Sequence, residues 1–461
     1  MTAKIELSSS QNKQGNSIGP GVSSRTPPPI IPFLFLFTSL LALSIGGILT
    51  FCFALPITQD PTSDKVVATA HLYLLGFITL AILGALHQFI PVITLKRLFS
   101  VRLAYFTYGS FLIGIVFLLA GLILKSEEFM AVGGLSLAVS ILSILLNLYN
   151  PLLKGNKSVS RNGLRISILY LVVTAGFGVT FASTHNSYSP PTHLVLAHAS
   201  LGLIGWAAIS YISVAEKLWP MFLLSHANQS KYGLRAIYLV AIGELGLAIG
   251  FIFGNKFIGA VCAVVIILGI LSHLRSLLNY IKHRNRKLEL LHGYIFTSVL
   301  FLIAFMVVGI LAFVLKIDWA AKEKLSVLAV VLVVGWLASA IIGHLHKIVP
   351  FIAWGILRRA GLTRSRNNKP LMFANLYVAN LAKLSLILIA SGFICFGLGV
   401  LTGFVDVIKV AGILISITSL AVFLNLSITP LSLYLRFKSA GSRYDLNIGD
   451  KSLEKIKSGE K

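Results

Sequence analysis

Three ionisable side chains occupy the same place in three similar segments of the chain. The segments are GFITLAILGALHQFIP (76–91), GWAAISYISVAEKLWP (205–220) and GWLASAIIGHLHKIVP (335–350). Each opens with a glycine and an aromatic residue, closes with a proline, and carries His87, Glu216 or His346 four positions before that proline. Two imidazoles and a carboxylate could together bind non-haem iron or copper, and they could equally relay protons. The sequence leaves both readings open.

A further histidine, His344, lies two positions before His346. Residues two apart leave an α-helix in nearly opposite directions. We therefore expect His344 and His346 to serve two different groups, although both are candidate metal ligands.

An outer layer of histidines precedes the first two segments. It contains His71, five positions before its glycine, and His198, seven positions before its own, together with His193. The depths of His71 and His198 agree within roughly 3 Å, but their directions differ by about 200°. Neighbouring helices can still bring such rings together, and two imidazoles across roughly 4 Å are the geometry of a bis-histidine haem. His71, His198 and His193 are the candidate haem-binding residues.

The composition requires these residues to lie in a membrane. Of 461 residues, 56% are hydrophobic and 12% are charged, and the mean hydropathy is +0.87. Apolar runs of about 20 residues predict membrane-spanning helices. Twelve spans are predicted, at 31–54, 67–95, 101–124, 129–150, 163–183, 193–223, 231–254, 257–282, 288–315, 325–357, 373–400 and 404–435.

The net charge of +24 reflects topology, and we expect no nucleic-acid partner. Basic residues concentrate in loops after even-numbered spans, as in KRLFSVR, KHRNRK and RRAGLTRSRNNK. This positive-inside pattern predicts a multi-pass protein of the inner (cell) membrane with both termini cytoplasmic. Residues 1–30 are polar and rich in Ser, Gly and Pro, which predicts a flexible cytoplasmic tail, and residues 436–461 predict a second tail.

The three segments recur at offsets of 129 and 130 residues and fall on the second, sixth and tenth spans. A constant period with several matching features predicts an internal repeat. We therefore predict an all-α membrane domain over residues 31–435, made of three four-helix quasi-repeats at about 31–150, 163–282 and 288–435 around a pseudo-threefold axis.

Twelve helices in three quasi-repeats, with polar groups on the second helix of each, resemble subunit I of the haem–copper oxidases and nitric-oxide reductases. The stretches HLYLLGF and GALHQFIP are also similar to small single-unit relatives of that superfamily. The histidine that marks the corresponding helix in those relatives is His71 in this sequence. The resemblance implies a haem, expected to be b-type because the chain has no c-type attachment motif.

The chain departs from the oxidases at the copper site. Its sixth span has no His-Pro-Glu motif, and its seventh has no histidine. The pair His344 and His346 resembles the helix-ten pair of that family, but it lies about 20 residues into its span. His346 is therefore offset from His71 by roughly 24 Å in the repeat frame. We expect dioxygen reduction to be lost.

Three functions follow as hypotheses. The first is a haem protein that transfers electrons, or that senses or handles a diatomic gas such as nitric oxide. Its electrons would come from a redox partner or a quinol. The second is a proton- or metal-coupled transporter, although three direct repeats differ from the repeats common in transporters. The third is an assembly partner that has lost its haem. The sequence leaves the oligomeric state open.

Overall fold

The structure, a computed structural model, describes residues 26–185, 190–227, 231–315, 319–364 and 369–458. Within these ranges the chain is helical and has no β-strand, and twelve helices are long and apolar enough to cross a membrane. The membrane-crossing parts are α1 Ile30–Cys52, α2 Asp64–Thr94, α3 Val101–Leu124, α4 Glu127–Lys154, α5 Val159–Ser183, α6 Thr192–Leu223, α7 Lys231–Ile252, α8 Lys256–Lys282, α9 Leu290–Ala312, α10 Glu323–Arg359, α11 Ala379–Thr402 and α12 Val405–Leu435.

The prediction of twelve membrane-spanning helices is confirmed, with ends that differ by up to six residues. The last helix begins at Val405 and continues to Ser458, past the predicted end of its span. A short helix, Ala54–Gln59, joins α1 to α2, and a 3₁₀ turn, Phe373–Asn375, precedes α11. The predicted tail of residues 1–30 lies outside the described residues except for its last five.

Side-chain caps start several of the helices at the membrane boundary. Ser100, Ser126 and Ser158 each accept a hydrogen bond from the backbone N–H three residues later, at 3.1–3.3 Å, and Asn255 does the same for α8. Such caps satisfy backbone donors that the helix itself cannot pair. These four residues set where α3, α4, α5 and α8 begin.

Three helical hairpins, α3–α4, α7–α8 and α11–α12, close through the same contact. The first helix of each carries two glycines seven residues apart that face the second helix. A Cβ on Gly121 would lie 2.6 Å from the Met130 nitrogen, one on Gly250 2.8 Å from the Gly259 nitrogen, and one on Gly399 3.1 Å from the Ile408 nitrogen. In each hairpin the contacted residue comes nine positions after the glycine. A side chain there would separate the helices. The glycine pairs are Gly114 and Gly121, Gly243 and Gly250, and Gly392 and Gly399.

The first and last membrane helices also meet. Gly47 on α1 and Gly412 on α12 lie face to face without a side chain between them. Beside them, the hydroxyls of Ser44 and Ser416 are 3.1 Å apart, and the Ser419 hydroxyl donates to the Leu40 carbonyl at 2.6 Å. The chain therefore returns to its starting point, and the twelve helices close into one bundle.

Helices α2 and α6 each contain a π-helical segment. These segments are Leu72–Thr79 in α2 and Leu201–Ala208 in α6, and they are followed by left-handed Leu95 (φ 56°) and Leu224 (φ 46°) at the helix ends. Helix α10 is α-helical throughout its described length. Short π segments often mark functional sites. Nothing in the residue pattern predicts them.

The second, sixth and tenth spans lie together around a central cavity of about 60 Å³. Its walls include Ala81 and Ala85 of α2, Ser210 of α6, and Ile341 and His344 of α10. Its polar lining residues are Ser210 and Tyr211 of α6 and His344 of α10, whereas His87, Glu216 and His346 do not line it. The predicted convergence of these three side chains on one interior is therefore not seen at this cavity.

Candidate functional site

The rings of His71 and His198 lie opposite each other between α2 and α6. Their centroids are 6.2 Å apart, and the ring planes differ by 24°. His71 immediately precedes the π segment of α2, and His198 lies three residues before that of α6. The sequence left open whether these two imidazoles meet, and the structure brings them together.

Hydrogen bonds orient both imidazoles. Nδ1 of His71 lies 2.8 Å from the Val67 carbonyl of the same helix, and Nδ1 of His198 lies 3.1 Å from the Thr174 carbonyl on α5. A carbonyl only accepts, so each Nδ1 must carry the proton. The lone pair is then on Nε2 of both rings, which is the tautomer that binds a metal through Nε2.

The separation of the two rings fits a shared haem iron. Metal–imidazole bonds of about 2 Å, with roughly 1 Å more from each nitrogen to its ring centre, place two axial rings about 6 Å apart. The observed centroid separation of 6.2 Å agrees with this value. The edge of Phe181 packs on His198, with ring centroids 5.6 Å apart, and gives the pair an apolar border.

His193, the third candidate of the outer layer, is exposed near the beginning of α6. It lies five residues before His198, and five residues turn an α-helix by about 140°. Its side chain therefore leaves the helix on another side from the His71–His198 pair. A cofactor role for His193 stays a prediction.

His87 lies fully buried on α2. Its Nδ1 donates to the Leu83 carbonyl at 2.8 Å, and its ring stacks on Phe35 of α1 with centroids 5.0 Å apart. Its buried Nε2 has no hydrogen-bond partner among the residues that the structure describes. The imidazole thus faces the first helix of the bundle.

Glu216 faces α8. Its Oε2 accepts hydrogen bonds from Tyr280 at 2.8 Å and from Ser276 at 3.1 Å, and its Oε1 lies 3.8 Å from Nδ1 of His273. The sequence analysis did not identify His273 as a site residue, although its side chain is only 2% exposed. One signal was present: His273, Ser276 and Tyr280 are spaced three and four residues apart, which makes a polar stripe on one helix face.

His344 and His346 leave α10 on different sides, as their spacing predicts. The His344 ring points towards Tyr211 of α6, with centroids 6.1 Å apart, and lines the central cavity. The His346 ring lies between the rings of Tyr294 and Tyr377, with centroid distances of 5.4 and 5.5 Å. Burial and the nearby Glu289 carboxylate raise the pKa of Tyr377, which lies between α10 and α11.

The four inner residues therefore have separate surroundings. In the described ranges, no three His, Cys, Asp or Glu side chains gather closely enough to hold a metal ion. A metal role for His87, Glu216, His346 and His344 stays a prediction.

Lys347 lies next to His346 on α10 and contacts another helix. Its side chain is buried, its ammonium pairs with the Glu289 carboxylate at the beginning of α9, and it lies 4.5 Å from the centre of the Phe373 ring.

Comparison with known proteins adds no assignment. No protein-family model matches the chain, and no curated protein matches it significantly. The function is therefore argued from the residues and their geometry.

Proposed function

We propose that this protein is a haem-binding membrane protein, similar in plan to haem–copper oxidase subunit I, that transfers electrons or handles a diatomic gas such as nitric oxide. The observation that carries the proposal is the His71–His198 pair, with rings 6.2 Å apart and both Nε2 lone pairs available. Two such imidazoles would hold a b-type haem from opposite faces.

The proposed plan is three quasi-repeats of four helices. The hairpin glycines support it, because Gly121, Gly250 and Gly399 each meet the residue nine positions later. The contact between each first and second helix supports it too, since small residues of the three segments pack at matching positions. These contacts are Gly84 against Phe35, Ser213 against Gly163, and Gly343 against Tyr294.

His71 and His198 together favour electron transfer over gas binding. A bound haem supplies one-electron redox chemistry. If both imidazoles held the iron of one haem, no coordination position would be left for a gas unless one ring moved away. Gas handling would therefore require release of His71 or His198, whereas electron transfer requires no movement of either.

The membrane arrangement is also a proposal. The basic loops after even-numbered helices favour cytoplasmic termini in the cell membrane. His71 and His198 would then lie near the outer face, since α2 and α6 enter from that side. A redox partner or a quinol would deliver electrons there.

Haem content tests the proposal. Protein purified in mild detergent from cells supplied with haem should carry about one haem per chain, extractable with acidified solvent because no covalent attachment is present. Protein that folds to full yield and carries no haem under these conditions would overturn the proposal.

A proton-coupled transporter is the second candidate, and one observation favours it. Four titratable side chains follow one another through the interior: Glu216, His273, Tyr211 and His344. The first two are 3.8 Å apart, and the ring centroids of the next two pairs are 5.7 and 6.1 Å apart. Cavities of about 20 and 60 Å³ lie beside them, but their walls are mostly apolar, so protons would have to pass mainly between the side chains themselves.

Replacing Glu216 with Gln tests this second candidate. Loss of a positioned proton carrier should slow proton movement into vesicles holding the protein by at least about tenfold. A pH-sensitive dye inside the vesicles would follow it, with Glu127→Gln on the exposed end of α4 as the matched control. Equal rates for the wild type, both variants and empty vesicles would exclude the transporter.

A further inference from the structure

We propose that the hydrogen bond between Thr79 and Trp206 is a positioning element that holds His71 and His198 at the same depth. The inference rests on the proposed haem function and names two residues that the sequence analysis did not single out. Both lie in the π segments of α2 and α6.

The bond joins the two helices inside the bundle. Nε1 of Trp206 donates to Oγ1 of Thr79 at 3.1 Å, and both side chains are buried. A buried indole N–H that lost this partner would retain its desolvation penalty, so the pairing is favoured over slipped arrangements of the helices. A side-chain bond of this kind specifies one relative position of α2 and α6.

The spacing matches that of the histidines. Thr79 is eight residues after His71, and Trp206 is eight residues after His198. Facing residues in both pairs are thus 127 positions apart, whereas the sequence segments recur at 129. The path from His71 to Thr79 is π-helical over all eight residues, and that from His198 to Trp206 over six of its eight. Equal residue counts therefore give similar depths, because most of both paths is π-helical.

A small slip would disturb the histidine pair. One residue along a helix is about 1.5 Å. Metal–ligand distances tolerate only about 0.2 Å. Without the Thr79–Trp206 bond, we expect a fraction of molecules in which one imidazole has withdrawn from the iron.

The test uses carbon monoxide binding to the dithionite-reduced protein, since a ferrous haem held by two imidazoles has no open position. Thr79→Val, which keeps the shape, and Trp206→Phe should each raise the carbon monoxide-binding fraction about fivefold over wild type. Thr79→Ser keeps the hydroxyl and should match wild type. Trp336→Phe changes the equivalent tryptophan of α10, which packs on Tyr211 instead, and should also match wild type.

The outcomes separate the two proposals. A wild-type protein without haem would overturn the proposed function before this step is reached. A wild-type protein with a six-coordinate haem, together with Thr79→Val and Trp206→Phe variants that bind no more carbon monoxide than Thr79→Ser, would overturn only the positioning role.

Discussion

Replacing His71 or His198 with alanine should reduce haem content at least about tenfold, or leave a haem with one open position. Each change removes one of the two imidazoles whose ring centroids lie 6.2 Å apart and whose Nδ1 atoms are held by backbone carbonyls. The visible absorption spectrum and haem content of each purified variant would measure the effect. His193→Ala is the matched control, because this exposed histidine shares α6 with His198.

Imidazole added to the buffer extends the experiment. A small free ligand can occupy the space left by His71→Ala or His198→Ala and restore the six-coordinate spectrum, whereas a misfolded variant would not respond. If both variants retained the wild-type spectrum and haem content, the ligands would have to be sought elsewhere, with His193 and the inner histidines as the next candidates.

The second large effect is expected where the first and last membrane helices meet. A Cβ at Gly47 would lie 2.5 Å from the Gly412 carbonyl oxygen and 2.7 Å from the Ser416 nitrogen. A Cβ at Gly412 would lie 2.5 Å from the Gly47 carbonyl oxygen. Because backbone atoms cannot move aside as a side chain can, Gly47→Ala and Gly412→Ala should each destabilise the protein by about 1–3 kcal/mol.

Thermal unfolding in detergent would measure this loss. Gly109→Ala on α3 and Gly309→Ala on α9 are matched controls, since a Cβ at either meets no atom of the described residues within 4 Å. Alanine should be neutral there or stabilise the helix by up to about 1 kcal/mol. The double variant at positions 47 and 412 should lose less than the sum, because both changes act on one contact. If the Gly47→Ala and Gly412→Ala variants had thermal unfolding midpoints equal to those of the controls, α1 and α12 would not meet this closely.

Most of the fold could be predicted from the sequence because lipid imposes one strong constraint. Every span must be apolar and must satisfy its own backbone hydrogen bonds, so hydropathy alone located the twelve helices. Helix ends were less predictable. The prolines at positions 91, 220 and 350 remain inside their helices and do not end them. The last helix continues through polar residues to Ser458, where hydropathy gives no signal.

The site was predicted in part. His71 and His198 were identified, but their approach depends on how α2 and α6 are rotated, and the π segments that follow both histidines have no residue signature. His273 was not singled out in the sequence, whereas the structure places it beside Glu216. Side-chain partners on other helices, such as Glu289 for Lys347, could not be derived from spacing within one helix.

The difference spectrum of the wild-type protein, dithionite-reduced minus oxidised, tests the haem proposal most directly. If His71 and His198 hold one haem between them, the Soret band should shift on reduction and sharp visible bands should appear, and carbon monoxide should change the spectrum of only a minor fraction of the protein. A protein that is folded, purified from haem-replete cells and colourless in both states would contradict the proposal, and the proton-coupled transporter would become the better explanation of its buried Glu216 and His273.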